Sequence, residues 1–396
     1  MYSTYFTSTF AADPDHGTVL WSRGITASAL CIAFLAPITG ALADRGGRQR
    51  YLLACVLICV GATGVLTFVQ PNQSNAVILA LAIFVIANVT YELSLVFYNA
   101  MLSNLAPVQR LGRISGYGWA LGYIGGLVCL ALALPFATGD PPPLGLVTTD
   151  GFNVRATNLL VAVWFLLFSL PMFYFFWDED VRDQKRFDLS AAFKGVADTF
   201  ANIRRYRQLM RFLIARAIYN DGLVTVFAFG GIYAAGTFGF TISEVIFFGI
   251  VLNVVAGLGA WLFGFVDDHF GGKTTIGISL FILIIATIVA VVAPNRTWLW
   301  VAGCLLGLSI GPNQSASRSL MSRFVPAEHA SEFFGFFSLS GKITAFLGPW
   351  LLGILAGYYG QRVGVMSLLV FFVVGGILLL RVDEAEGIAV GSKSGL

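Results

Sequence analysis

Long apolar stretches dominate the chain, each about the length needed to cross a bilayer, and they limit what it can fold into. Eleven fall at 20–43, 51–69, 76–98, 113–136, 156–177, 210–236, 242–266, 274–293, 297–317, 331–358 and 362–381. A hydrocarbon core of about 30 Å takes about 20 residues of α-helix. The sequence shows no ten-residue segments of alternating polarity, the mark of a lipid-facing barrel. Helices are then the remaining way to satisfy backbone groups in lipid. Composition agrees, with 57% hydrophobic and 11% charged residues, where a soluble domain carries about 25% charged. The 44 glycines suit close helix packing.

Orientation follows from Lys and Arg. The turn Asp44-Arg45-Gly46-Gly47-Arg48-Gln49-Arg50, with every second connection after it, holds 18 of the 24 basic residues. Arg23, Arg155, Arg296 and Arg362 fall on the other side, and Arg216 and Lys342 inside spans. The positive-inside rule puts the 18, and the C-terminus, in the cytoplasm. The first full span then enters from outside, and Met1–Phe6 reads as the tail of a helix. A first helix is therefore expected to be missing; the alternative is an eleven-span chain with a translocated N-terminal tail. A net charge of +3 gives no nucleic-acid footprint. Cys31, Cys55, Cys59, Cys129 and Cys304 lie in apolar runs without metal-type spacing and read as buried small hydrophobes. With only scattered histidines, neither metal nor cofactor is expected.

The chain repeats itself. Gly40-x3-Asp44-x2-Gly47 recurs as Gly264-x3-Asp268-x2-Gly271, and Pro107-x8-Gly116-x5-Gly122 recurs as Pro326-x8-Gly335-x5-Gly341. The offsets are nearly equal and an even number of spans separates the copies, as in a parallel repeat about the membrane normal. The division that follows is an N-terminal bundle over 1–177, a cytoplasmic linker over 178–209, a C-terminal bundle over 210–381 and a tail over 382–396. Leu189, Phe193, Val196, Phe200 and Ile203 space an apolar face along the linker, predicting an interfacial amphipathic helix.

Two six-helix halves, a basic central loop and the Gly-x3-Asp-Arg-x-Gly-Arg turn resemble the major facilitator superfamily. Leu95-Val96-Phe97-Tyr98-Asn99-Ala100, Arg113-Ile114-Ser115-Gly116-Tyr117-Gly118-Trp119-Ala120-Leu121-Gly122 and Tyr219-Asn220-Asp221-Gly222 narrow the likeness to its vacuole effluxer branch, the autophagy-related Atg22-like proteins. The fold class is thus an all-α membrane protein with the major facilitator fold, two six-helix bundles in pseudo-two-fold parallel repeat, eleven spans being recognised. The resemblance implies a secondary transporter, with amino-acid export as the fungal branch's association. It also implies that helices 1, 4, 7 and 10 line a central cavity. The turn with Gly40, Asp44, Arg45, Gly47 and Arg48, repeated at Gly264, Asp268 and Gly271, would latch the cytoplasmic side.

A charge at mid-bilayer costs at least about 2.5–3.5 kcal/mol, so each needs a partner, water or a purpose. Glu92 and Asn99 fall on helix 4 of the family pattern, Arg216, Asn220 and Asp221 on helix 7, and Lys342 on helix 11. These six form the expected substrate or proton site. Arg216 or Lys342 could meet a carboxylate; Glu92 or Asp221 could meet an ammonium or take a proton, which would suit proton coupling. The competing reading makes them interhelical locks. Arg216 and Asp221, five residues apart, stand about 500° apart around one helix and do not face each other. Asn253 and Gln314 read as interhelical hydrogen bonders. The Gly116-x-Gly118-x3-Gly122-x3-Gly126 run begins no strand and lacks a P-loop lysine, so it reads as a packing stripe. Gly311-Pro312 is an expected kink.

The expected function is rocker-switch transport of a small polar solute by a monomer in contact with membrane lipids, in a bacterial plasma membrane. Drug or amphiphile export is the alternative within the superfamily. A membrane-embedded lipid-modifying enzyme, centred on His329 with Glu328 and Glu332, is the alternative of another class, and a non-transporting receptor or subunit a third.

Overall fold

The computed structural model describes residues 2–10, 13–72, 74–176, 190, 193–194 and 205–393. Among them every regular element is helical. A short α1 (Tyr2–Thr9) precedes α2 (Pro14–Gly46), α3 (Arg48–Leu66), α4 (Ala76–Leu105), α5 (Leu111–Thr138) and α6 (Phe152–Phe176). Then come α7 (Arg207–Phe238), α8 (Ile242–Phe270), α9 (Gly272–Val292) and α10 (Arg296–Phe324). The last expected spans are each divided, into α11 (Ala330–Lys342) with α12 (Leu347–Tyr359) and α13 (Gln361–Met366) with α14 (Leu368–Leu380). A tail helix, α15 (Glu384–Lys393), follows. Most of the 178–209 linker lies outside the described residues.

Ten stretches among the described residues are long and apolar enough to cross a membrane. The expected 297–317 span is not among them, although α10 contains it. That helix carries Asn313, Gln314, Arg318 and Arg323, and almost all of it from Ser309 to Phe324 is buried. Its surroundings are α8 and α9 rather than lipid, and polar groups are tolerated at membrane depth when they face protein. Elsewhere large apolar side chains point outward: Leu30, Phe34, Phe281 and Leu380 stand 63–74% exposed. In water each would forgo about 1.5–3 kcal/mol of burial; in hydrocarbon the cost disappears. For the same reason an apolar run did not mean burial for the cysteines. Cys59 is buried, Cys55, Cys129 and Cys304 are intermediate, and Cys31 is exposed.

By contacts the described chain falls into two compact units, Met1–Tyr98 with Val128–Phe193, and Asn99–Leu127 with Lys194–Leu396. In the first unit, Tyr5, Phe6 and Phe10 seat α1 and its end against Val69, Ala76 and Ala80, and the Tyr5 hydroxyl donates to the Asp150 carbonyl. Asn88 on α4 donates to Ser28 on α2 at 2.8 Å.

Three of the four arginines assigned to the outer side cap helix ends. Arg155 is 3% exposed, and its Nη1 donates to the carbonyls of Thr67 (3.1 Å) and Val69 (3.0 Å) just past α3. Arg362 donates to Val291 (2.5 Å) and Ala293 (2.8 Å) at the end of α9. Arg296 donates to Phe238 (2.9 Å) and Gly239 (2.5 Å) at the end of α7. A helix end leaves carbonyls without partners, and a cation there also meets the negative pole of the macrodipole. Arg155 opens α6 and caps the end of α3, while Arg362 opens α13 and caps the end of α9. In the repeat these are matching places.

Candidate functional site

The duplicated turn has a backbone reason for its last glycine. Gly47 and Gly271 sit at φ 91° and 89°, each ending one helix and opening the next. Both amides donate back into the preceding helix, Gly47 to Ala43 (3.1 Å) and Gly271 to Asp267 (2.9 Å). Such φ values favour glycine, which has no Cβ to clash.

The acidic residues of the two turns act differently. Asp44 is bridged by Arg48 of its own turn at 2.9 Å, with both side chains under 10% exposed, while Arg45 is exposed. Asp268 reaches α5: Oδ1 accepts from the amides of Gly112 (2.8 Å) and Arg113 (3.3 Å), and Oδ2 pairs with Arg113 Nε (2.6 Å). A carboxylate on the first amides of a helix both satisfies orphan donors and meets the positive pole. Its neighbour Asp267 pairs with Arg323 of α10 at 2.5 Å, accepts from the Ser319 hydroxyl, and is 2% exposed. Arg323 also lies 3.8 Å from Asp268 and from Glu384. Glu384, opening the tail helix, caps α9 through the amides of Gly272 (2.9 Å) and Lys273 (3.1 Å). One network of charges thus joins α5, α8, α9, α10 and α15.

Close approach of α5 and α8 makes the network possible. A Cβ on Gly116 would strike the Ala260 carbonyl, and one on Gly264 would come 3.0 Å from Arg113 Cα. The expected packing stripe works only at this end of α5; Gly122 and Gly126 have nothing within 4 Å. Further along, Arg318 is 6% exposed and donates to Ser115 Oγ (2.9 Å), the Ser115 carbonyl (2.8 Å) and Asn99 Oδ1 (3.3 Å). Arg318 and Arg323 were counted above only as cytoplasmic charges. The signal that could have singled out Arg323 is the Asp267-Asp268 doublet, which needs cations nearby.

Of the six expected substrate or proton residues, Glu92 lies near the middle of α4 and is partly buried. Asn99 accepts from Arg318. Arg216 donates to the Phe337 carbonyl and Ser340 Oγ, both at 2.8 Å, with its guanidinium 3.5 Å from the Phe337 ring centroid. Asn220 donates to the Gly341 carbonyl at 3.3 Å, and Asp221 Oδ2 accepts from the Gly348 amide at 2.9 Å. Arg216 and Asp221 bind different places and not each other, as their rotation around α7 predicts. Lys342 is the last residue of α11 and partly buried. The structure therefore brings Arg216, Asn220 and Asp221 together with the α11–α12 junction that Lys342 opens.

Gln314 accepts from Tyr123 at 3.2 Å across helices, as expected, whereas Asn253 donates to Gly249 of its own helix. His329 is half exposed, 3.8 Å from Glu332. The second unit also holds a cavity of about 330 Å³ with a largely apolar lining that includes Tyr123, Phe227, Phe229, Tyr233, Phe248 and Asn253.

The sequence profile of the family described as "Vacuole effluxer Atg22 like" matches residues 16–109 and 103–390. An uncharacterized MFS-type transporter, YxiO of Bacillus subtilis, is 28% identical over 374 residues, 93% of this chain and 86% of the relative. Autophagy-related protein 22-1 of Penicillium rubens is 23% identical over 312 residues, 71% of this chain. The aligned part spans about half of the fungal protein's length, 51%. Among solved structures, the human organic anion transporter MFSD10 superposes with TM-score 0.70 at 15% identity, over 96% of this chain and 88% of its own. The proton:xylose symporter XylE gives 0.69 at 14% identity, over 97% and 90%.

Proposed function

The chain belongs to the Atg22-like vacuole effluxer family, membrane transporters of the major facilitator superfamily and not enzymes, and on that premise we propose that it carries amino acids by rocker-switch alternating access coupled to protons. Glu92 is the observation that carries the reading. It is an ionisable side chain near the middle of a 30-residue helix of high apolarity, and at that depth a charge, at a cost of at least about 2.5–3.5 kcal/mol, calls for a partner, water or a role in transport. Lys342 supplies the opposite sign on another helix. An amino acid carries both an ammonium and a carboxylate. In this reading Glu92 meets an ammonium or a proton, Lys342 meets a carboxylate, and Asn99 adds a polar contact. The duplicated turn is the cytoplasmic latch, with Asp268 on the first amides of α5 as its closed form. The 18-to-4 distribution of basic residues supports a cytoplasmic C-terminus, the Bacillus relative supports a bacterial plasma membrane, and the chain is read as working as a monomer.

The aromatic-lined cavity favours a second reading, export of an amphiphile whose apolar part would fill it. Thermal unfolding in detergent separates the two. Ligand at a hundred times its dissociation constant stabilises by about 2.7 kcal/mol. L-amino acids are expected to raise Tm in the native chain, and less in Glu92→Gln. Stabilisation by amphiphilic cations alone would establish the second reading.

A further inference from the structure

Residues 331–358 read as one apolar span, yet α11 ends at Lys342 and α12 begins at Leu347. An interrupted helix leaves amides and carbonyls without partners, and each costs several kcal/mol in hydrocarbon. The junction satisfies some itself: Ile343 donates to Leu339 (3.0 Å), Ala345 to Lys342 (3.3 Å) and Leu347 to Thr344 (2.8 Å). Pro349 has no amide to satisfy. Helix α7 takes up others. Asn220 donates to the Gly341 carbonyl at the end of α11, and Arg216 donates to the Phe337 carbonyl one turn earlier and to the Ser340 hydroxyl in the last turn. Asp221 accepts from Gly348, in the first turn of α12. Thr344, between the halves, donates to the Ala217 carbonyl at 2.8 Å.

The signs match the ends. A cation serves the carbonyl end of α11 and an anion the amide end of α12, as the macrodipoles favour. Five residues along α7 advance about 7.5 Å, enough to straddle the junction. Two glycines on the interrupted helix admit the approach. A Cβ on Gly341 would come 3.1 Å from Arg216 Nη1; one on Gly348 would strike the Thr225 hydroxyl and come 3.0 Å from the Asp221 carbonyl.

We propose that Arg216, Asn220 and Asp221 are positioning residues: they clasp both halves of an interrupted helix to α7 and thereby fix Lys342 at its junction, rather than contacting the solute. The inference rests on the reading of Lys342 as the solute's carboxylate contact, but the clasp can be tested without any solute. Hydrogen exchange of the full chain in lipid nanodiscs, followed over 337–350, is the direct measurement. Asp221→Ala is expected to speed exchange at Gly348 at least tenfold. Asp221→Asn, whose amide oxygen can still accept, is expected to restore it to within threefold. Asn220→Ala, a milder change, covers the case in which Asp221→Ala does not fold and is expected to speed exchange around 341–345. Unchanged exchange in both alanine variants would overturn the clasp. In proteoliposomes loaded with a mixture of L-amino acids, Asp221→Ala should slow transport at least tenfold, and Asp221→Asn should recover it together with the exchange protection. Transport still lost in Asp221→Asn while its exchange at Gly348 is native-like would make Asp221 a solute contact and overturn the assignment. Absence of amino-acid flux in the native chain would count against the transport reading, while the exchange result still decides the clasp.

Discussion

Arg155 and Arg362 each supply donors where a helix runs out of its own. Their targets are helix-end carbonyls, and each reaches two of them with one guanidinium. Removing such a donor leaves buried acceptors unpaired, at about 1–3 kcal/mol. Arg362→Ala is therefore expected to lower Tm in detergent by several degrees. Arg362→Lys should recover only part, because an ammonium lacks the planar fork; an unchanged Tm in the alanine variant would contradict the capping role. None of this was legible in the sequence. Arg155 lies 88 positions from Thr67, and local pattern carries no information at that separation. Asp268 and Asp44 divide similarly. The repeat marked both, but the partners were not legible, because Arg113 is 155 positions from Asp268. Asp268→Ala strands the Arg113 charge and two amides of α5, and Asp44→Ala strands Arg48. Both should slow transport without loss of membrane insertion, Asp268→Ala the more strongly, and equal uptake by all three forms would remove the latch.

Helix limits followed from apolar length alone for most of the chain, within a few residues. The two divided spans, 331–358 and 362–381, escaped that reading for one reason. Apolar length reports the solvent a helix faces, not whether its backbone is continuous, so the interruption between Lys342 and Leu347 left no trace in hydropathy. The expected kink at Gly311-Pro312 falls inside α10, which holds Pro312 within its length. Gly311 lets the Ala256 carbonyl of α8 approach. Glycine thus has different meanings along α5. Gly116→Leu should clash with the Ala260 carbonyl and sharply lower the yield of folded protein or its transport. Gly122→Leu, with open space around it, should change stability by less than about 0.5 kcal/mol. Similar losses in both variants would show that the stripe packs along its whole length.

At the scale of the whole chain, the superfamily fold was visible in the count of spans, the duplicated turn and the sidedness of charge, because bilayer thickness and membrane orientation act on sequence directly. The chemistry of the cargo was less visible. Three of the six residues singled out for it bind the junction of another helix, a contact that spacing within α7 could not reveal. Glu92 and Lys342 then carry the case for a zwitterionic solute, and the latch residues carry the case for alternating access. Counterflow tests both at once: proteoliposomes preloaded with an unlabelled L-amino acid and given a radiolabelled trace outside. The account predicts transient accumulation of label above equilibrium for at least one amino acid, lost in Glu92→Gln or Lys342→Ala. Failure of every amino acid to exchange in the native protein, alongside movement of an amphiphilic dye, would contradict it.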